Sequence, residues 1–494
     1  MPNLFAYLVL LGWPLVAVAL FRLLTLERAL VWTVVAGHLL LPSETQIKFP
    51  TIPVIDRSTV VSLSAVFLCL LMAPKPTMKP DVMARAWQIV LLTLFGLVVL
   101  TPLLTVVQNT QPIINGKVYL PGLRLYDAYN MISNIFFQMV PFWLGLRYLN
   151  TREGHKVLLE ALAIGGIFYS FPALLEVRIS PQLHRMVYGF FPSDFVQSMR
   201  DGGFRPNVFL NHGLMVGIFF ALSIVAALVL YREARREKRT AYGWLAAAIW
   251  LTATLFLCKS LGAFALALIF GAVTLLFGRR LQVVTGVFVA VVVLLYPMLR
   301  GGGIIPVDTV YEIAQSISED RASSLKFRLD NEDALLDRAN EKPVAGWGSW
   351  GRNSIYDPDT GRMTSITDGV WLIFIGIFGW LGYIGRFGLL TVPILLYALR
   401  RNGPSMITPG LIMVLSVALV DLLPNAGLVN YVWLMAGATA GFCLWRHPVE
   451  GEEGSALSGV LNPSARPRAA WLMGDEKAAP VGRQTRLDVR RAPR

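Results

Sequence analysis

Apolar runs of hydrocarbon-spanning length recur along nearly the whole chain, and they leave little choice of fold. A helix needs roughly 20 apolar residues to cross a ~30 Å bilayer core. Such runs centre on residues 4–21, 28–41, 58–73, 87–107, 128–147, 156–175, 207–231, 241–258, 260–277, 281–299, 385–399, 408–422 and 428–445. Backbone amides in lipid must be satisfied within the segment, which helices do; a barrel would need alternating strands, and these runs do not alternate. Only 15% of the 494 residues are charged, against about 25% in a soluble domain. The expected fold is an all-α polytopic membrane protein of about 12–14 transmembrane helices, with one large external loop containing short helices.

The charges say how the helices alternate. Arg232, Arg235, Arg236, Lys238 and Arg239 form the densest basic cluster, which the positive-inside rule puts in the cytoplasm. Alternating from there, Lys75, Lys79 and Arg85, then Arg147, Arg152 and Lys156, then Arg279-Arg280 and Arg400-Arg401 also fall inside. The net charge of +13 is therefore a topology signal, and no nucleic-acid partner is expected. Loops 108–127, 176–206, 300–366 and 423–427 fall outside. The expected organisation is membrane helices over 1–299, a large external loop over 300–368, a re-entrant segment and the last spans over 369–445, and a disordered basic cytoplasmic tail over 446–494. Within 369–384 the apolar sequence is broken by Gly369, Gly376, Gly379 and Gly382, which suggests a short re-entrant or surface helix. Cys69, Cys258 and Cys443 lie in apolar runs without metal-like spacing and read as packing residues. No cleavable signal peptide is expected at Met1-Pro2-Asn3.

The external loops carry what chemistry there is. Loop 300–366 has eleven acidic and eight basic residues and no histidine. Arg328 and Glu332 lie four apart, on one face of a helix that also holds Asn331 and Asp333. Pro343, Gly346-Trp347-Gly348, Trp350 and Arg352 follow, and Asp368-Gly369 stands where the chain re-enters the apolar region. Asp357-Pro358-Asp359 with Gly361 reads as a turn, and no metal site is expected. In loop 176–206, Arg205-Pro206-Asn207 is expected to open a helix whose N-terminus and guanidinium would together hold an anion; His212 reads as a packing histidine. Lys259-Ser260-Leu261-Gly262-Ala263 lies at an external turn. Arg124, Tyr126, Asp127 and Tyr129 open another helix, and Asn130, Asn134 and Gln138 give it one polar face.

In this order the clusters resemble the O-antigen ligase and Wzy-type polymerase superfamily, over roughly residues 200 to 390. Arg205-Pro206 resembles its Arg-Pro segment before a helix, and Lys259 to Ala263 a Ser-Arg-Gly-Ala-like helix start. The stretch from Arg328-Leu329 through Pro343 and Gly346-Trp347-Gly348 is similar to the family's loop pattern. The chain departs from that pattern twice. Asp368-Gly369 stands where many members carry His-Asn, and Leu261 replaces an arginine, with Lys259 two residues upstream. The missing histidine favours an exopolysaccharide-type polymerase over a ligase.

The resemblance implies a membrane glycosyltransferase that polymerises undecaprenyl-diphosphate-linked oligosaccharide repeats on the periplasmic side of a bacterial inner membrane. Transfer of glycan to a lipid A core is the first alternative and a polysaccharide transporter or flippase the second. Implied roles are a catalytic base at Asp368 or Glu332, diphosphate binding by Arg205, Lys259, Arg328 and Arg124, and sugar binding by Trp347, Trp350, Asn331 and Arg352; Trp371 is a further stacking candidate. The energy lies in the lipid diphosphate, so no cofactor is implied. Partners would be the lipid-linked glycan, membrane lipid, a chain-length regulator and export proteins.

Overall fold

The computed structural model describes residues 1–49, 53–72, 84–200, 202–304, 311–312, 315–316, 319–400 and 403–445. The basic tail expected over 446–494 lies outside the described residues. The described chain is almost wholly helical: α1 (Leu4–Leu23), α2 (Leu26–Leu40), α3 (Arg57–Met72), α4 (Ala84–Gln108), α5 (Leu125–Tyr148), α6 (Arg152–Ile179), α7 (Leu183–Tyr188), α8 (Gly213–Arg236), α9 (Tyr242–Leu257), α10 (Leu261–Leu276), α11 (Arg279–Gly301), α12 (Glu319–Asn340), α13 (Val370–Ala398), α14 (Ile407–Asp421) and α15 (Asn430–Leu444). Two small hairpins, β1 (Ile113–Asn115) with β2 (Val118–Leu120) and β3 (Met199–Arg200) with β4 (Gly203–Phe204), are the named strands. Six helices, α1, α4, α6, α8, α11 and α13, are long and apolar enough to cross a membrane; α3, α9, α10 and α14 are shorter and apolar. The chain is an all-α, multi-pass membrane protein.

Each expected apolar core falls on a helix. The largest displacement is at 207–231, where the helix begins only at Gly213. Residues 206–212 make turns instead, because their amides are claimed from elsewhere. The buried Glu176 carboxylate accepts from Asn207 N at 2.8 Å and Val208 N at 2.7 Å, and the Tyr169 hydroxyl accepts from Phe209 N at 3.0 Å. His212 caps the true start, its Nδ1 accepting from Leu214 N.

Helix α8 is apolar on every face (GLMVGIFFALSIVAALVL), as a central helix must be. Its apolar window is 94% buried against 28% for α1, so α8 is the core and α1 the rim. It packs against α6, α9, α10 and α14. Helices α5 and α15 approach backbone to backbone: a Cβ at Gly145 would meet Leu434 O, one at Gly437 would meet Phe142 O and one at Gly441 would meet Leu146 O. Small residues are what permit such closeness between membrane helices.

Contacts sort the connections into two ends of the bundle. At one end Asn3 N donates to Tyr188 O, Tyr188 Oη to Leu40 O, Ser58 Oγ to Asn430 Oδ1, and Val370 N to Leu422 O. At the other, Met406 N donates to Glu233 Oε2, Arg232 to Thr274 O, Arg400 to Phe442 O, and Arg279 to Gly403 O. Among the described residues, the basic residues of 147–156, 232–239 and 279–280, with Arg400, lie at the second end, and α12 with residues 341–369 at the first.

Helix α13 is not continuous. Gly379 has φ 67° and ψ −173°, so the helix breaks there into a short 370–378 piece and a longer 380–398 piece. The glycine-rich run thus yields a broken helix rather than a separate one. Open carbonyls at the break are taken by the glycine-rich segment of the loop: Trp347 N donates to Gly376 O, Gly348 N to Ile377 O, and Trp380 N returns to Pro343 O. The two backbones touch. A Cβ on Gly379 would lie 2.5 Å from Val344 O, and one on Gly346 (φ 69°) 2.5 Å from the Ile377 carbonyl carbon.

Candidate active site

Helix α12 is the frame of the site. Leu335, Leu336 and Ala339 are buried, and the helix packs against α13. Arg300, on the last turn of α11, holds it from below. Its Nη2 donates to Asp333 Oδ2 at 2.8 Å and Leu329 O at 3.3 Å, and its Nε lies 3.7 Å from Glu332 Oε2. Arg300 is 7% exposed. In the sequence it reads as one more cation at the end of a span; only its burial under α12 marks it as part of the site.

Glu332 and Asp368 share this pocket with Arg328. Arg328 Nε sits 3.5 Å from Asp368 Oδ2, on the open side of the cluster. Burial pushes the Glu332 carboxyl up to about 7; Arg300 opposes this, while the Asp333 and Asp368 charges add to it and a hydrogen bond from Tyr296 opposes it. The result is one carboxyl that exchanges its proton near neutrality beside a second, more exposed carboxylate paired with an arginine. Asn331 ties the parts together: its Nδ2 donates to Phe327 O, and its Oδ1 accepts from Ile366 N, two residues before Asp368. It positions the 366–368 corner. Both sequence-predicted carboxylates and Arg328 are thus brought together.

Arg205 and Lys259 form a second cluster at the same end. Arg205 Nη2 donates to Lys259 O at 3.3 Å, its aliphatic stem lies against Gly213, and the Lys259 ammonium packs over Gly203. The helix N-terminus expected beside Arg205 is absent, and Glu176 already supplies the anion for the Asn207 and Val208 amides. Arg124 belongs to a third corner, where its N–H donates to Asp127 Oδ2 and Trp350 Nε1 donates to Asp127 Oδ1.

Two expected sugar contacts are structural instead. Arg352 is 2% exposed and spends its guanidinium on three carbonyls, Trp347 O, Pro121 O and Gln111 O, which pins loop 108–123 to the loop of the site. Burial lowers its pKa. Trp347 is buried, its ring covered by the Arg338 guanidinium at 3.4 Å and the Lys342 ammonium at 4.5 Å, and its N–H donates to Arg338 O. Trp371 is wholly buried and donates to Leu423 O. Trp350, 66% exposed, is the aromatic that keeps an open face. Asp357 makes a local turn, accepting from Asp359 N and Thr360 N, and the Thr360 and Asp359 amides hold its carboxyl below the usual range. His212 Nδ1 accepts from Leu214 N, and its Nε2 lies 2.9 Å from Gln197 Oε1, so the residue caps α8. No protein-family model and no curated protein matches the chain.

Proposed function

We propose that the chain is a membrane glycosyltransferase that joins oligosaccharide repeats carried on undecaprenyl diphosphate, at the periplasmic face of a bacterial inner membrane. The observation that carries this reading is the Glu332–Asp368 pair set among Arg328, Arg300 and Tyr296, with one carboxyl near 7. A general base works best with a pKa near the working pH. The acceptor sugar hydroxyl attacks the anomeric carbon, and its proton passes to Glu332. The bond from that carbon to the diphosphate oxygen breaks, and the electron pair leaves on the diphosphate. Arg328 and the Arg205–Lys259 pair supply fixed positive charge where that negative charge grows. Asp368 orients Arg328, and Trp350 offers its open face to a sugar.

The charge pattern supports the sidedness: the described basic residues of 147–156, 232–239 and 279–280 share the end opposite the site, as a cytoplasmic end would. The thirteen apolar runs of the sequence fit that alternation, with α13 entering from the site's end. Deleting the gene and analysing carrier-linked and secreted glycans together tests the reading. Single repeats left on their carrier, with no long polymer, are expected. Free polymer with none on lipid A would make the chain a ligase. Repeats trapped on the cytoplasmic leaflet would make it a flippase and overturn the catalytic assignment.

A further inference from the structure

A polar cavity of about 200 Å³ opens at the same end, between α2, α3, α5 and α15 and the 44–46 turn. It is smaller than the roughly 300–1,000 Å³ of drug-sized sites, so it takes one small unit. Two of its lining residues carry a buried polar atom for which the described residues provide no hydrogen-bond partner: Thr45 Oγ1, on a residue 1% exposed, and His38 Nε2, on a residue 6% exposed. Both atoms are closed to a water-sized probe, and the polar side chains open to the cavity are those of Glu44, Gln46 and Gln138. Glu44 holds a positive φ of 60°, uncommon for a non-glycine residue and frequent at binding sites.

Helix α5 leads into this cavity. It has 24 residues, yet it is not among the six helices apolar enough to cross a membrane. Asn130 is half-buried and Asn134 and Gln138 are exposed, one turn apart on one face. Gln138 lies about 20 Å along the helix from Leu125, at 1.5 Å per residue, and lines the cavity. Exposed amides in hydrocarbon are costly, so this stripe faces a polar occupant.

We infer that the cavity binds a neutral sugar unit, with the α5 amide stripe carrying the rest of the glycan toward it. The lining favours hydroxyls over an anion. Arg57 stands between the acidic Asp56 and Glu44, so no net positive charge is left to select a phosphate or carboxylate. Amide and carboxylate groups together need a ligand that both donates and accepts, as a sugar hydroxyl does. Trp433 supplies an apolar wall. The lining sets the ligand's chemistry; its origin as a growing glycan rests on the glycosyltransferase reading.

Saturation-transfer NMR on the purified full chain in nanodiscs tests this, with the methyl glycosides of glucose, galactose, mannose and rhamnose, and with phosphate and succinate as anion controls. Gln46→Leu removes an exposed amide of the lining and leaves the buried packing in place. Saturable binding of at least one glycoside is expected, weakened roughly 2- to 10-fold by Gln46→Leu and by Gln138→Leu. Binding of the anions but no glycoside, or glycoside binding indifferent to both cavity substitutions, overturns the inference. If glycoside binding behaves as expected while Asp368→Asn makes normal polymer in cells, the cavity stands and the catalytic reading falls.

Discussion

Glu332→Gln separates the electrostatics of the site from its packing. Glutamine keeps the shape of a protonated glutamate and an acceptor for Tyr296, but it does not ionise. The Glu332 carboxyl moves from the usual 4.5 to about 7 in the fold. At about 1.4 kcal/mol per pH unit, keeping it ionised at high pH costs the folded site about 3 kcal/mol. A carboxyl raised on folding holds its proton longer in the folded state, so stability falls as pH rises from 4.5 to about 7 and is level above that. Glu332→Gln should therefore match the wild type at about pH 4 and exceed it by up to about 3 kcal/mol at about pH 8. The assay is hydrogen exchange of α12 amides in the purified protein across that range, paired with polymer synthesis, which should fall about 10²- to 10⁴-fold. A stability gap that does not change with pH would refute the reasoning, since Glu332 would then not be the group held near neutrality by burial.

Four further outcomes are expected. Gly379→Ala places a methyl against the Val344 carbonyl at a φ of 67°, and should cost about 3–5 kcal/mol from backbone strain and overpacking, seen as a lower thermal midpoint. Arg352→Ala leaves three carbonyls unmet and should destabilise the loop by about 3–5 kcal/mol, with Arg352→Lys restoring only part, as limited proteolysis would report. Arg328→Ala and Arg205→Ala should each cut polymer synthesis about 10²- to 10³-fold with protein still in the membrane; normal chain length in both removes the cations from the reaction. A cysteine placed at Ser349 should react with an impermeant thiol reagent from the periplasmic side, and labelling only from the cytoplasm would reverse the topology.

The helices were legible because spanning length and apolarity are local properties. The start of α8 was not. Residues 206–212 would continue a helix by pattern, but their amides bind a carboxylate 31 residues upstream. The glycines of 369–384 marked an interruption, but the expected separate helix is one helix, α13, broken at Gly379. Within the site, Arg328, Glu332 and Asp368 stood out as ionisable groups in a polar stretch. Arg300 did not, because an arginine ending a span is ordinary until a helix closes over it. Trp347 and Arg352 have the composition of a sugar platform, and only their carbonyl partners and burial show that they hold the loop instead.

The interlock at Gly379 redraws where one cooperative unit ends and the next begins. The amides of Trp347, Gly348 and Trp380 are bonded across the break of α13, so they exchange with solvent only when that break opens. In hydrogen-exchange terms, residues 343–348 belong to the bundle rather than to the loop they follow in sequence. Protection at these amides should track that of α13, and the boundary of independent motion falls after Gly348.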